Sequence, residues 1–201
     1  MALISAKTIL TSLSLFHITL GFFFLTSPGS VADQAVVYLL GEAMGLPHVR
    51  SFETQSPSLA FLAAVLAIMG VSDLVTLSLP DEISLLHHWS LQAPIRLLMS
   101  FILVLYSFFF SASSPIFANT SSSSSSTFTH PSVHAPPPLG YAPSGWGGDA
   151  LKNRVFFTFM FVETFSWFWV WVTLQEEVPT LVMNKRGSGR RRSSGYNGYE
   201  R

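Results

Sequence analysis

Long apolar stretches alternate with shorter polar ones along this chain. Four of them are long enough to cross a bilayer as helices: about 8–26, 58–79, 95–113 and 155–174. About twenty residues at 1.5 Å rise cover the roughly 30 Å hydrocarbon core. Backbone groups find no water there, so a span must satisfy its own hydrogen bonds, as a helix does. The alternation of a membrane barrel is absent. The second span is the most polar, with Ser72, Asp73, Thr76 and Ser78 in its last two turns. The third is expected to begin after Pro94, because proline interrupts the hydrogen-bond ladder.

The intervals between spans differ in kind. Ser30 and Asp33 stand at capping-box spacing, and Gly45 followed by Pro47 is a stop signal, so a helix of about 31–44 is predicted. It is too short to span comfortably and is placed on the membrane surface or against the bundle. Val36, Leu39, Leu40, Ala43 and Met44 fall on one of its sides, and Gly41 and Glu42 on the other. Residues 114–150 hold six consecutive serines and a proline triplet, and are expected to be a disordered Ser/Pro-rich loop. Residues 151–178 are assigned to the fourth transmembrane helix and 179–201 to a basic, disordered cytosolic tail. The expected fold class is all-α: a polytopic membrane protein, built as a four-transmembrane-helix bundle with a short interfacial helix after the first span.

Composition supports this reading. Only 11% of the 201 residues are charged, against about 25% in an ordinary soluble domain. There is no cysteine, which excludes disulfides, thiolate catalysis and cysteine-based zinc sites. The net charge is zero but uneven: residues 185–201 hold six Lys/Arg and one Glu. With both termini cytosolic, that side carries Lys7, Arg96 and the six tail residues, and the other side Arg50, Lys152 and Arg154. The positive-inside rule favours that orientation. A second reading of the start remains open. Lys7, an apolar run and Ser30-Val31-Ala32 also resemble a cleavable signal, which would remove residues 1–32.

Four ionisable residues fall within or at the edge of the spans. Glu163 is central in the fourth and His17 central in the first, at the same depth. Asp73 lies past the middle of the second, and Arg96 opens the third. Such residues are expensive in a bilayer and mark functional or register-setting contacts. Asp73 and Arg96 are positioned to form a salt bridge, and His17 and Glu163 to pair. A neutral Glu163 bonded to the hydroxyl of Ser107 or Thr164 is the alternative. Trp167, Trp169 and Trp171 are read as an interfacial aromatic belt. The tail Lys185–Arg192 suits anionic lipid, and Ser193 and Ser194 after Arg191-Arg192 suit a basophilic kinase. Asn119 opens a glycosylation sequon, too close to the third span for easy modification. No phosphate-binding loop, dinucleotide fingerprint or hydrolase motif occurs, and no cofactor, metal or catalytic residue is assigned.

The segments GEAMGLP (41–47), MGVSDL (69–74), APIRLLMSFILVLYSF (93–108) and FVETFSWFWVWVTLQEE (161–177) occur in an order and spacing that resemble the fungal family of increased loss of mitochondrial DNA protein 1. The resemblance covers most of residues 35–177. It implies association with the endoplasmic reticulum membrane and with mitochondrial genome maintenance, and no catalytic activity. By motif, Asp73, Arg96 and Glu163 match the family's intramembrane polar positions. The Ser/Pro-rich insertion and the basic tail depart from that pattern.

The expected function is therefore that of a non-enzymatic endoplasmic reticulum membrane protein. It would support mitochondrial DNA maintenance indirectly, through lipid, ion or membrane-contact homeostasis. Its partners would be membrane lipids, and membrane proteins or further copies of itself, with no direct nucleic acid. The alternatives are a small-cation channel or transporter using Glu163 and Asp73, and a lipid- or sterol-binding module or enzyme.

Overall fold

Ser5 starts the first helix, α1 (Ala6–Thr26), by accepting the Thr8 N–H on its side-chain oxygen. The structure, a computed structural model, describes residues 4–80, 83–110 and 147–196, with side chains to residue 183. A second group caps the same end: the Ala6 N–H donates to Glu177 Oε1 at 3.0 Å. A carboxylate there also meets the positive end of the helix dipole. Two short helices follow, α2 (Pro28–Ala32) and α3 (Ala35–Ala43). Gly45, at φ 62°, ends α3. Its N–H bonds back to Glu42 O and that of Leu46 to Gly41 O, the paired arrangement that a left-handed residue permits.

Pro57 in the first turn and the Ser56 side chain, which accepts the Leu59 N–H, start α4 (Pro57–Leu77). Helix α5 (Ser84–Phe109) opens with a wide turn, Ser84–Trp89, and continues through Pro94. Helix α6 (Arg154–Tyr196) follows a 3-10 turn at Gly147–Leu151. Four helices are long and apolar enough to cross a membrane: α1, α4, α5 and the Arg154–Met183 part of α6.

The main contacts pair α1 with α4 and α5 with α6. The α1–α4 seam depends on small residues, because close backbone approach leaves no room for a side chain. A Cβ on Gly70 would stand 2.6 Å from the Ser14 carbonyl oxygen and 2.7 Å from Ile18 Cγ1. Backbone cannot retreat as a flexible side chain can. Gly70→Ala is therefore expected to cost about 1–3 kcal/mol, read as a lowered Tm in detergent.

Two apolar clusters fill the interior. One gathers Leu10, Leu13, Leu77, Trp89, Trp167 and Leu174; the other gathers Phe24, Val37, Leu59, Leu66 and Val155. Along α1, α4 and α6, the buried polar residues Ser14, His17, Asp73, Thr158 and Glu163 fall between the two clusters. The bundle thus has a polar layer at mid-depth.

Several boundaries differ from the sequence reading. The helix expected at 31–44 is two helices broken at Asp33–Gln34, because Pro28 starts the chain into a helix earlier. Ser30 pairs with Ser27 through their hydroxyls rather than capping α3. The face of α3 carrying Val36 and Leu39 points outward, while Val37 and Gly41 are buried. Helix α5 begins ten residues before Pro94 and takes in His87-His88. Burial of Leu85, Trp89 and Ala93, four residues apart on one face, holds that extension. Helix α6 does not stop near 178. Val178 and Leu181 pack on the first apolar cluster and Glu177 caps α1, so the helix passes Pro179 and reaches Tyr196. The expected loop 114–150 lies outside the described residues except for 147–150.

Candidate functional site

All four ionisable candidates lie in the polar layer, one from each long helix. On α1, His17 is fully buried, with Nε2 2.6 Å from Glu163 Oε1 on α6. The other carboxylate oxygen, Glu163 Oε2, accepts the indole N–H of Trp167 at 2.7 Å. Residues 163 and 167 are one helical turn apart, so both side chains leave α6 on the same face. The Trp167 ring centre lies 4.9 Å from the Arg96 guanidinium carbon on α5, and the Trp89 ring centre lies 5.6 Å from it. The two indoles are stacked, with centres 5.9 Å apart. A guanidinium against aromatic faces gains electrostatic attraction that grows as water is excluded. Arg96 then forks onto Asp73 of α4, Nη1 to Oδ2 at 2.7 Å and Nη2 to Oδ1 at 2.9 Å. This bidentate geometry is the strongest form of the contact.

One connected set, His17–Glu163–Trp167–Arg96–Asp73, therefore ties α1, α6, α5 and α4 together. Every oxygen of both carboxylates already has a donor within 2.9 Å. The buried His17 Nδ1 has no partner in the protein among the described residues. Donation to the Glu163 carboxylate places a ring hydrogen on Nε2. The hydroxyls considered for Glu163 are used elsewhere: Thr164 donates to Met160 O and Ser107 to Val104 O. Of the three tryptophans assigned to a belt, Trp167 is buried and only Trp169 is exposed.

A second clamp holds α3, and nothing in the sequence reading anticipated it. At the first residue of α6, Arg154 Nε donates to Leu46 O at 2.7 Å and Nη2 to Glu42 Oε2 at 2.9 Å. Its guanidinium carbon is 5.6 Å from the Tyr38 ring centre. The Arg154 side chain passes directly over Gly41, where any Cβ would overlap it. Lysine cannot reproduce this fork. Arg154→Ala is expected to loosen α3 by about 1–2 kcal/mol, seen as faster amide exchange across 35–46, with Arg154→Lys intermediate.

Among the described residues, cavities in the bundle are lined without Asp, Glu, Lys, Arg or His. One of about 440 Å³ lies between α1, α2, α3 and α6, and another of about 510 Å³ lies between α5 and α6. Asn119 lies outside the described residues. Ser193 and Ser194 fall on the last turns of α6, where side chains are not described.

Among the described residues, these features define an all-helical bundle with four helices of spanning length, many exposed apolar side chains, and His17, Asp73, Arg96 and Glu163 turned inward. The family model described as increased loss of mitochondrial DNA protein 1 matches residues 4–184, and the chain belongs to that family. Membership links it to maintenance of mitochondrial DNA. Comparison with curated proteins and with solved structures yields no match. The quoted segments fall on the features just described. GEAMGLP is the α3 stop under Arg154, MGVSDL holds Gly70 and Asp73, APIRLL holds Arg96, and FVETFSW holds Glu163 and Trp167.

Proposed function

We propose that this chain is a non-enzymatic, multi-pass protein of the endoplasmic reticulum membrane, with both termini cytosolic. It supports mitochondrial DNA maintenance indirectly, through lipid homeostasis. The observation that carries this reading is the separation of charge from space. Both buried carboxylates are fully hydrogen-bonded within the layer, while the cavities are walled mainly by apolar side chains and by no charged residue. The exterior suits a bilayer as solvent: Phe61, Ile68, Val75 and Leu91 are each more than 60% exposed. In this reading α1 is a retained span, since it supplies His17 and Leu10 to the interior. The basic cluster at 185–192 is a topogenic and lipid-facing element and does not bind nucleic acid.

Gentle detergent extraction followed by lipid and protein identification tests the proposal. Enrichment of particular lipids over bulk membrane supports it, and the same preparation reports protein partners and self-association. Recovery of bulk lipid alone would count against the lipid role. A protease-protected signal in the mitochondrial matrix would overturn the location.

A further inference from the structure

We propose that the cavity between α1, α2, α3 and α6 binds a sterol-class lipid, meaning a flat, rigid, apolar body with one uncharged hydroxyl. This rests on the lipid-directed reading above and names the lipid. At about 440 Å³ the cavity lies within the roughly 300–1,000 Å³ of small-molecule sites. Its walls are stiff. Phe16 of α1 and Phe159 of α6 stack with ring centres 6.5 Å apart and planes 17° apart. Val155, Val162 and Val37 add β-branched surface with few rotamers. A rigid body against a rigid wall loses little freedom on binding, whereas a flexible acyl chain must be ordered.

The polar chemistry of the cavity selects the headgroup. Its polar lining residues are Thr19, Ser30, Gln34 and Thr158, all neutral. Ser30 and Gln34 form the end at α2 and α3. Thr158 lies one turn into α6, and its buried hydroxyl has no partner in the protein among the described residues. Such groups can exchange hydrogen bonds with a hydroxyl but cannot offset a phosphate. Arg154, the cation at the start of α6, is already committed to Glu42, the Leu46 carbonyl and the Tyr38 ring. That clamp fixes α3 as one wall of the cavity.

The test uses the purified full chain in phosphatidylcholine vesicles with one of two photoreactive probes. One is a diazirine-bearing sterol, the other a phosphatidylcholine with a diazirine on its acyl chain. The sterol probe should label the stretches 16–24 and 155–162, and unlabelled sterol should compete. Val36→Trp, at an exposed position on the cavity mouth, should cut that labelling about tenfold. Ser30→Ala, on the exposed rim, should cut it about threefold, and keeps the test open if the larger change impairs folding. Cavity labelling by the acyl probe, without competition by sterol, would overturn the sterol assignment and leave the lipid reading standing. Uniform labelling of the outer surface by both probes would overturn both.

Discussion

Asp73→Ala is expected to destabilise the protein by about 3–5 kcal/mol, because it leaves the Arg96 guanidinium without its partner in a buried layer. The side chain of Asp73 is 6% exposed and that of Arg96 22%, so water cannot fully replace the lost carboxylate. Arg96 also lies against Trp89 and Trp167, which limits its movement towards the surface. A loss of that size approaches the whole stability of many domains, so low abundance is the expected cellular outcome. Replacing both partners separates the pair from its surroundings. Asp73→Leu with Arg96→Met should cost less than the sum of the single changes, since neither charge is then stranded. Thermal unfolding in detergent across the four proteins measures this coupling. Strict additivity would mean that the pair does not join α4 to α5 energetically.

Glu163→Ala is the second large effect. It strands the Trp167 N–H and His17 Nε2 together, in a layer where both are almost fully buried, and leaves a void between them. The combined cost is expected to be about 2–5 kcal/mol. Glu163→Gln should be milder, at about 1–3 kcal/mol. Its amide oxygen can still accept from Trp167, but its NH₂ then faces His17 Nε2. That arrangement moves the ring hydrogen to Nδ1, which has no partner. The Gln variant at normal abundance with a lost cellular phenotype would show that Glu163 does more than hold helices. Parallel loss of both is expected.

Much of this layer was legible in the sequence, for a physical reason. A charge inside an apolar run has few options, so depth along the helix brings His17 to Glu163 and Asp73 to Arg96. Trp167 was harder to place, because tryptophan near a helix end also suits a membrane interface. Its spacing of four from Glu163 was the available signal. The Arg154 clamp had none. Glu42 and Arg154 are 112 residues apart, and only the folded chain joins them. Helix ends were misjudged where burial outweighed local preference. Trp89 and Ala93 draw α5 back past Pro94, and Leu181 draws α6 beyond Pro179. The cavity could not be read at all, since its walls come from four helices and depend on how they pack.

On the proposed reading, the buried carboxylates brace the bundle and carry no ion. Hard cations take several oxygen ligands, and here each carboxylate oxygen already accepts a hydrogen bond from the protein. Cation flux through vesicles containing the purified full chain tests this most directly. Wild-type protein and Glu163→Gln should both match protein-free vesicles. A wild-type flux that Glu163→Gln abolishes would contradict the claim and make the polar layer a conduction path.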